Sequence, residues 1–223
     1  MLSYRHAFHA GNHADVFKHT LLVMLLERFN AKETPYTVID THAGSARYDL
    51  NDERALKTLD AQSGILKLLE SIPHAKEARL PGKSSDEAAR YVEAQSPDRE
   101  EPAPELSLIS HDDLQPSHKS SDETALRELR SRECRSDFID FQKYLLFAKV
   151  CLDTGFYPGS PEIERAFMRA KDCLILSELH PDEIGALHHN MRSGAKAENA
   201  PEVHIHHRDG FEALRALTPP ETK

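Results

Sequence analysis

Cysteine is scarce in this chain of 223 residues: Cys134, Cys151 and Cys173 are scattered and form no CxxC pair. An odd, dispersed set reads as reduced thiols of a cytoplasmic protein and argues against a disulfide-stapled framework. Long apolar runs are also missing. The longest, Leu21–Leu26, is far too short to span a bilayer, and the N-terminus has no signal-peptide apolar region, so no membrane partner is expected. Positive charge is not in surplus either. A net charge of −9 does not suit a general nucleic-acid binder that relies on many phosphate contacts. Recognition by a local patch stays open, and Arg5, Lys18 and the nearby histidines could contribute to one. Metal-ligand spacing is absent as well, although histidine is plentiful at fourteen. His6, His9, His13 and His19 cluster, as do His204, His206 and His207, but no HExxH occurs, and His207 would point away from His204 and His206 on a strand. No metal is expected, and a metal-dependent hydrolase remains a distant alternative. No internal repeat is visible, and the length suits one core-bearing domain.

What is present is concentrated in residues 36–50, Tyr-Thr-Val-Ile-Asp-Thr-His-Ala-Gly-Ser-Ala-Arg-Tyr-Asp-Leu. The β-branched run Thr37 to Ile39 predicts a buried strand. It ends in Asp40 and opens into the small-residue loop Ala43 to Ala46. That order suits a nucleotide-like ligand at the carboxyl end of a parallel strand, where small residues allow close approach and loop amides meet polar groups. A plain strand-to-loop turn would read the same way.

Helices and strands alternate around this segment. Residues 13–29 predict a helix capped by Asn12, with Asp15 completing a capping box and Leu21, Leu22, Leu25 and Leu26 facing the core. Residues 51–70 predict a second helix burying Leu56, Leu59, Ile65, Leu68 and Leu69. The stretch 72–136 then holds six of the thirteen prolines, ten serines and 24 charged side chains, too little apolar surface to offset its ordering entropy. It reads as a largely disordered insertion with a short helix at 122–133. A helix at 137–150 follows, burying Phe138, Phe141, Tyr144, Leu145 and Ala148. Ser160-Pro161 starts another, with Ser160 as its cap. Cys173–Ser177 and Val203–His207 predict the second and third strands, and 182–192 and 210–217 predict helices, the last capped by Asp209 with Glu212. This is an α/β pattern with three parallel strands, the first at an edge, in an incomplete Rossmann-like arrangement. A helical subdomain, 51–71 and 137–156, is inserted between strands one and two. Residues 1–50 precede it, and 157–223 return to the sheet.

Glu178 directly follows the second strand, where an acid commonly accepts hydrogen bonds from ribose hydroxyls; a solvated loop acid is the alternative. Its distance from Asp40 far exceeds the usual spacing of about 20 residues, and the helical subdomain and insertion account for the gap.

The first twenty residues, Met-Leu-Ser-Tyr-Arg-His-Ala-Phe-His-Ala-Gly-Asn-His-Ala-Asp-Val-Phe-Lys-His-Thr, precede the loop 42–46. Tyr-Pro-Gly-Ser-Pro at 157–161, Ser-Glu-Leu-His-Pro at 177–181 and Arg-Asp-Gly-Phe at 208–211 follow it. In this order they closely resemble the RlmJ family, 23S rRNA adenine-N6 methyltransferases that use S-adenosylmethionine. The resemblance covers roughly residues 1–70 and 137–217. It implies the S-adenosylmethionine-dependent methyltransferase fold, 23S ribosomal RNA as partner, and action as a cytoplasmic monomer. It implies that Lys18, His19, His42, Gly44, Ser160, Glu178, Asp209 and Gly210 form the cofactor site, with Asp209-Gly210 at the adenine. It implies that Tyr4 meets the RNA. Taken as single residues, His19 and His42 could equally be satisfied structural histidines, and Tyr4 a packing aromatic.

Two departures stand out. Ser45-Ala46 stands where the family has Ala-Gly, which removes a permissive backbone position. The Asp/Asn-Pro-Pro-aromatic motif, whose oxygens accept hydrogens from the target amine, is absent. Thr218-Pro219-Pro220-Glu221 has neither the acid or amide before the prolines nor the aromatic after them. No catalytic residue is therefore assigned; the motif is expected beyond Lys223, and the chain is expected to be inactive in methyl transfer. A non-catalytic remnant that binds cofactor or RNA is the second reading.

Overall fold

The computed structural model describes residues 6–71, 138–192 and 200–218. The expectations for Tyr4, Arg5, Cys134, the insertion 72–136 with its helix at 122–133, and the Pro219-Pro220 pair lie outside the described residues.

A 3-10 turn, His6–Phe8, leads into helix α1, His13–Asn30. Asn12 caps α1 by accepting from the Asp15 amide at 2.9 Å, as expected. Asp15 reaches one residue further back than a capping box requires and accepts from the Gly11 amide at 2.9 Å. The buried side of α1 is Asp15, His19, Val23 and Leu26. The expected stripe is therefore corrected: Leu21 and Leu25 are exposed, together with Phe17 and Phe29. All four leucines lie within a broad apolar arc, and packing against a later helix selects the side that is buried.

Strand β1 is Thr37–Asp40, followed by the two-residue strand β2, Arg47–Tyr48. Helix α2, Glu53–Thr58, is capped by Asp52 and ends at Leu59, which adopts φ 57°. A π-type turn, Gln62–Leu66, kinks at Gly64 and passes into helix α3, Lys67–Ser71. The single helix expected over 51–70 is thus three pieces, and Leu56 and Leu59 are exposed while Ile65 is buried. Helix α4, 138–153, buries Tyr144, Leu145, Phe147, Ala148 and Cys151, but Phe138 is exposed, contrary to expectation.

Strand β3, Tyr157–Pro158, pairs antiparallel with β2. Helix α5, Ser160–Phe167, is capped by Gly159 and not by Ser160, so Pro161 takes the second helical position. Strand β4, Cys173–Glu178, helix α6, Pro181–Arg192, strand β5, Glu202–His207, and helix α7, Gly210–Leu217, follow.

The main sheet has the order β1-β4-β5, all parallel, with β1 at an edge, as the alternation of elements predicts. Register pairs Asp40 with Leu176 and Ile39 with Ile175. Leu174 and Leu176 are fully buried on one face, beneath α5. On the other face Ile39 and Ile175 are half-buried and His204 is exposed. Burying such apolar groups contributes about 1.5–3 kcal/mol each.

Charge also sits inside the core. Glu162, buried on α5, accepts from Arg165 at 2.9 and 2.8 Å and from Arg47 Nε at 2.5 Å. Arg165 also donates to the Met191 carbonyl at 2.9 Å. The cluster fastens β2, α5 and the end of α6 together. Removing one partner of such a buried set costs about 3–5 kcal/mol, because the others keep uncompensated charge.

Candidate functional site at the carboxyl ends of the parallel strands

Parallel strands put their carboxyl ends on one side of the sheet, so the residues that follow β1, β4 and β5 gather there. After β1 the chain turns at Thr41 and His42 into Ala43–Ala46. The Ala43 amide donates to the Ser177 carbonyl at 3.1 Å, and the Gly44 amide donates to Glu178 Oε2 at 2.8 Å. Glu178 Oε1 accepts from the His180 amide at 2.7 Å. Each carboxylate oxygen has a second lone pair, so Glu178 retains acceptor capacity for a ligand hydroxyl.

Asp209 follows β5 and caps α7. Its Oδ1 accepts from both the Phe211 amide at 2.9 Å and the Glu212 amide at 3.0 Å. The cap therefore occupies one oxygen, and Oδ2 makes no hydrogen bond among the described residues. Gly210 is pressed against β1's continuation: a Cβ there would lie 2.0 Å from the Thr41 carbonyl oxygen. Only glycine allows the start of α7 to approach so closely. His42 is exposed beside it, with its ring 5.4 Å from that of Phe211 in an edge-on arrangement and its Nδ1 2.9 Å from Thr41 Oγ1. His42, Gly44, Glu178, Asp209 and Gly210 thus lie at the same end of the sheet, beside loop 43–46.

Asp40 accepts from the His42 amide at 2.9 Å and from Ser160 Oγ at 2.7 Å. Burial raises its carboxyl above the usual range, while those two hydrogen bonds pull it back. Ser160 is therefore a brace for Asp40, and its expected role as a helix cap is corrected.

Lys18 and His19 make their contacts with other residues. Lys18 pairs with Asp15 at 2.9 Å. His19 is buried, with Nδ1 3.1 Å from the Tyr157 hydroxyl and its ring against those of Tyr144 and Tyr157. Burial brings its pKa down to about 4, so the ring is neutral near pH 7. Burial opposes ionisation of Asp15, but the hydrogen bond and charge of His6, then His19 and Lys18, hold its carboxyl well below the usual range. This group supports the loop from behind: His6 stacks edge-on against Tyr48 at 4.9 Å, and the Tyr48 hydroxyl accepts from the Ser45 amide at 3.1 Å.

Sequence reasoning missed the residues that hold the loop from its other flank. Ser45 Oγ donates to Glu183 Oε2, and Asn190 donates to the Ser45 carbonyl at 2.8 Å. Gly159 donates its amide to the Ala46 carbonyl at 2.7 Å. Gly44 has φ 61° and Ala46 φ 66°. The left-handed conformation costs an L-residue such as alanine about 1–2 kcal/mol.

Two clefts lie elsewhere. One, of about 420 Å³, is lined by Arg165, His188, Met191 and Val203; the other, of about 450 Å³, by His13, Val16, Gly64 and Phe141. Neither is lined by Glu178 or Asp209. Two of the histidines expected to cluster pair with different acids: His6 with Asp15 at 3.0 Å and His9 with Asp60 at 2.8 Å. Among the described residues no group of three histidine, cysteine or acidic side chains could hold a metal ion, and no helix is long and apolar enough to cross a membrane.

Known proteins resemble this chain along its whole length. It is 29% identical over 223 residues to the ribosomal RNA large subunit methyltransferase J of Escherichia coli (strain K12), covering all of this chain and 56% of that protein. It is 28% identical to the protein of that name from Haemophilus influenzae, with the same coverage. The chain therefore spans about half the length of the curated relatives it matches. A crystal structure of a protein from Legionella pneumophila str. Philadelphia 1 aligns with a TM-score of 0.50 at 23% identity, covering 96% of this chain and 54% of that one, which supports the fold. The family model described as ribosomal RNA large subunit methyltransferase D, RlmJ, matches residues 137–223. The chain is thus similar to these two relatives over all of its length and to the RlmJ family model over residues 137–223.

Proposed function

We propose that residues 1–223 form the cofactor-binding part of an S-adenosylmethionine-dependent methyltransferase that acts on adenine N6 of 23S ribosomal RNA, as a cytoplasmic monomer. The observation that carries the reading is the placement of Glu178 and Asp209. Glu178 ends β4 and Asp209 follows the neighbouring β5, at the end of the sheet beside loop 43–46, and each keeps acceptor capacity after its structural hydrogen bonds are made; we read the space between them as the cofactor crevice.

The cofactor supplies a methyl group on a positively charged sulfur. In this reading Glu178 accepts from the ribose hydroxyls, Asp209 Oδ2 accepts from the adenine amine, and the close seat of Gly210 leaves room for the base. Gly44 lines the crevice with its loop, and His42 borders it with Phe211. Ser160 acts on the site through Asp40, and Lys18 and His19 act through the layer behind the loop. Tyr4 contacts the RNA. The Asp/Asn-Pro-Pro-aromatic motif is absent from 1–223, so these residues account for holding the cofactor and not for orienting the target amine.

Titration of residues 1–223 with S-adenosylhomocysteine by calorimetry tests the reading. Asp209→Asn keeps an oxygen at the helix cap and removes the second acceptor. It should weaken binding by about 1–3 kcal/mol, the range for losing a hydrogen bond to a charged group. Equal affinity in wild type and Asp209→Asn removes Asp209 from the site, and absence of binding in both removes the cofactor assignment.

A further inference from the structure

Ala46 is fully buried and sits at φ 66°, a conformation that an L-residue holds only when its surroundings impose it. Gly44, two residues earlier, donates its amide to Glu178 Oε2 at 2.8 Å and so orients that carboxylate. The amides and carbonyls between them are fixed from three elements. Tyr48 of β2 takes the Ser45 amide at 3.1 Å, Gly159 before α5 donates to the Ala46 carbonyl at 2.7 Å, and α6 holds both ends of Ser45. From α6, Asn190 grips the Ser45 carbonyl at 2.8 Å and Glu183 accepts from the Ser45 hydroxyl. Glu183 and Ser45 are both buried, which strengthens a hydrogen bond to a carboxylate. Glu183 also stands in the first turn of α6, where the helix dipole favours its charge.

We propose that Glu183 is a positioning residue for the cofactor loop: through Ser45 it keeps Ala46 in the left-handed conformation and so sets the direction of the Gly44 amide. The inference rests on the assignment of this crevice to S-adenosylmethionine. The Ser45 hydroxyl is the handle, and Ala46 is the strained position that makes the handle necessary. A glycine at 46 would adopt the same φ without help. Glu183 and the residue at 46 are therefore coupled: the carboxylate matters to cofactor affinity only while a Cβ is present at 46.

The test is calorimetric titration of residues 1–223 with S-adenosylhomocysteine, with each variant's fold checked by circular dichroism and thermal unfolding. Glu183→Ala is expected to weaken binding about tenfold or more. Glu183→Gln, whose amide oxygen can still accept from Ser45, should stay within about threefold of wild type. Ala46→Gly alone should also stay within about threefold, and Glu183→Ala with Ala46→Gly should recover most of the lost affinity. A general structural role for Glu183 would not produce that recovery. Wild-type affinity in Glu183→Ala, or no recovery in the folded double variant, overturns the proposal. Failure of the wild-type chain to bind at all overturns the crevice assignment instead.

Discussion

The Ser160 hydroxyl donates to Asp40 Oδ2 over 2.7 Å, joining the first turn of α5 to the end of β1 across 120 residues of chain. Asp40 is half-buried, and desolvation already makes it hard to ionise, so this bond is one of two that stabilise its charged form. Ser160→Ala should destabilise the fold by about 1–3 kcal/mol at neutral pH, the range for a hydrogen bond to a charged group. The folded-state pKa of Asp40 lies above its unfolded value, so ionisation costs stability as pH rises past that unfolded value. Ser160→Ala raises the folded pKa further. Its effect should be largest at neutral pH and smaller in acid, where Asp40 is protonated in both proteins. Urea denaturation at a series of pH values from acid to neutral measures the difference; an equal loss throughout would remove Asp40's charge from the explanation.

Two glycines should respond in opposite directions to alanine. Gly64 has φ −93° and ψ −112° inside the π-type turn, and a Cβ there would lie 2.1 Å from the Gly11 carbonyl oxygen. Both groups are backbone, so neither can swing aside, and Gly64→Ala should cost more than about 2 kcal/mol. Gly185 lies within α6 with nothing within 4 Å of the added Cβ. Gly185→Ala should stabilise by about 0.5–1 kcal/mol through helix propensity alone. Thermal unfolding of the two variants beside wild type checks the signs.

His19 makes stability depend on pH in a defined window. Its folded-state pKa of about 4 lies below the ordinary value of 6.5, so the folded protein binds the proton less readily than the unfolded chain does. The contribution is complete above pH 6.5 and is lost as pH falls toward 4. His19→Phe removes that proton uptake and should flatten the stability profile between those values, while leaving the acid loss from Asp15, which lies lower. A variant profile as steep as wild type over pH 6.5 to 4 would exclude His19 as its source.

The sheet was legible in the sequence because β-branched and aliphatic runs of about strand length alternated with helical periods and turn residues. Three parallel strands, the ends of α6 and α7, and the Asp209 cap all follow from local patterns. Errors came where tertiary packing decides. Leu21 and Leu25 satisfy the period of a buried face, but α1 turns His19, Val23 and Leu26 inward. The break at Leu59 needed no glycine, so only Gly64 within that apolar run hinted at a discontinuity. Strands of two residues, β2 and β3, carry too short a pattern to show. In the site, Glu178 and Asp209 were visible because they end strands. Glu183, on a helix 138 residues from Ser45, gave no local sign of the hydroxyl it holds.

The central place of β4 sets the order in which the sheet can be made. Tyr36, which leads into β1, donates its amide to Asp172, just ahead of β4, and the two are 136 residues apart. During synthesis at about 5–20 residues per second, β1 leaves the ribosome on the order of ten seconds before the strand that pairs with it. Until then its edge and its β-branched side chains have no native partner in the sheet. A chaperone that binds extended apolar segments would meet Thr37–Asp40 in that interval, and a slower message over residues 72–136 would lengthen it.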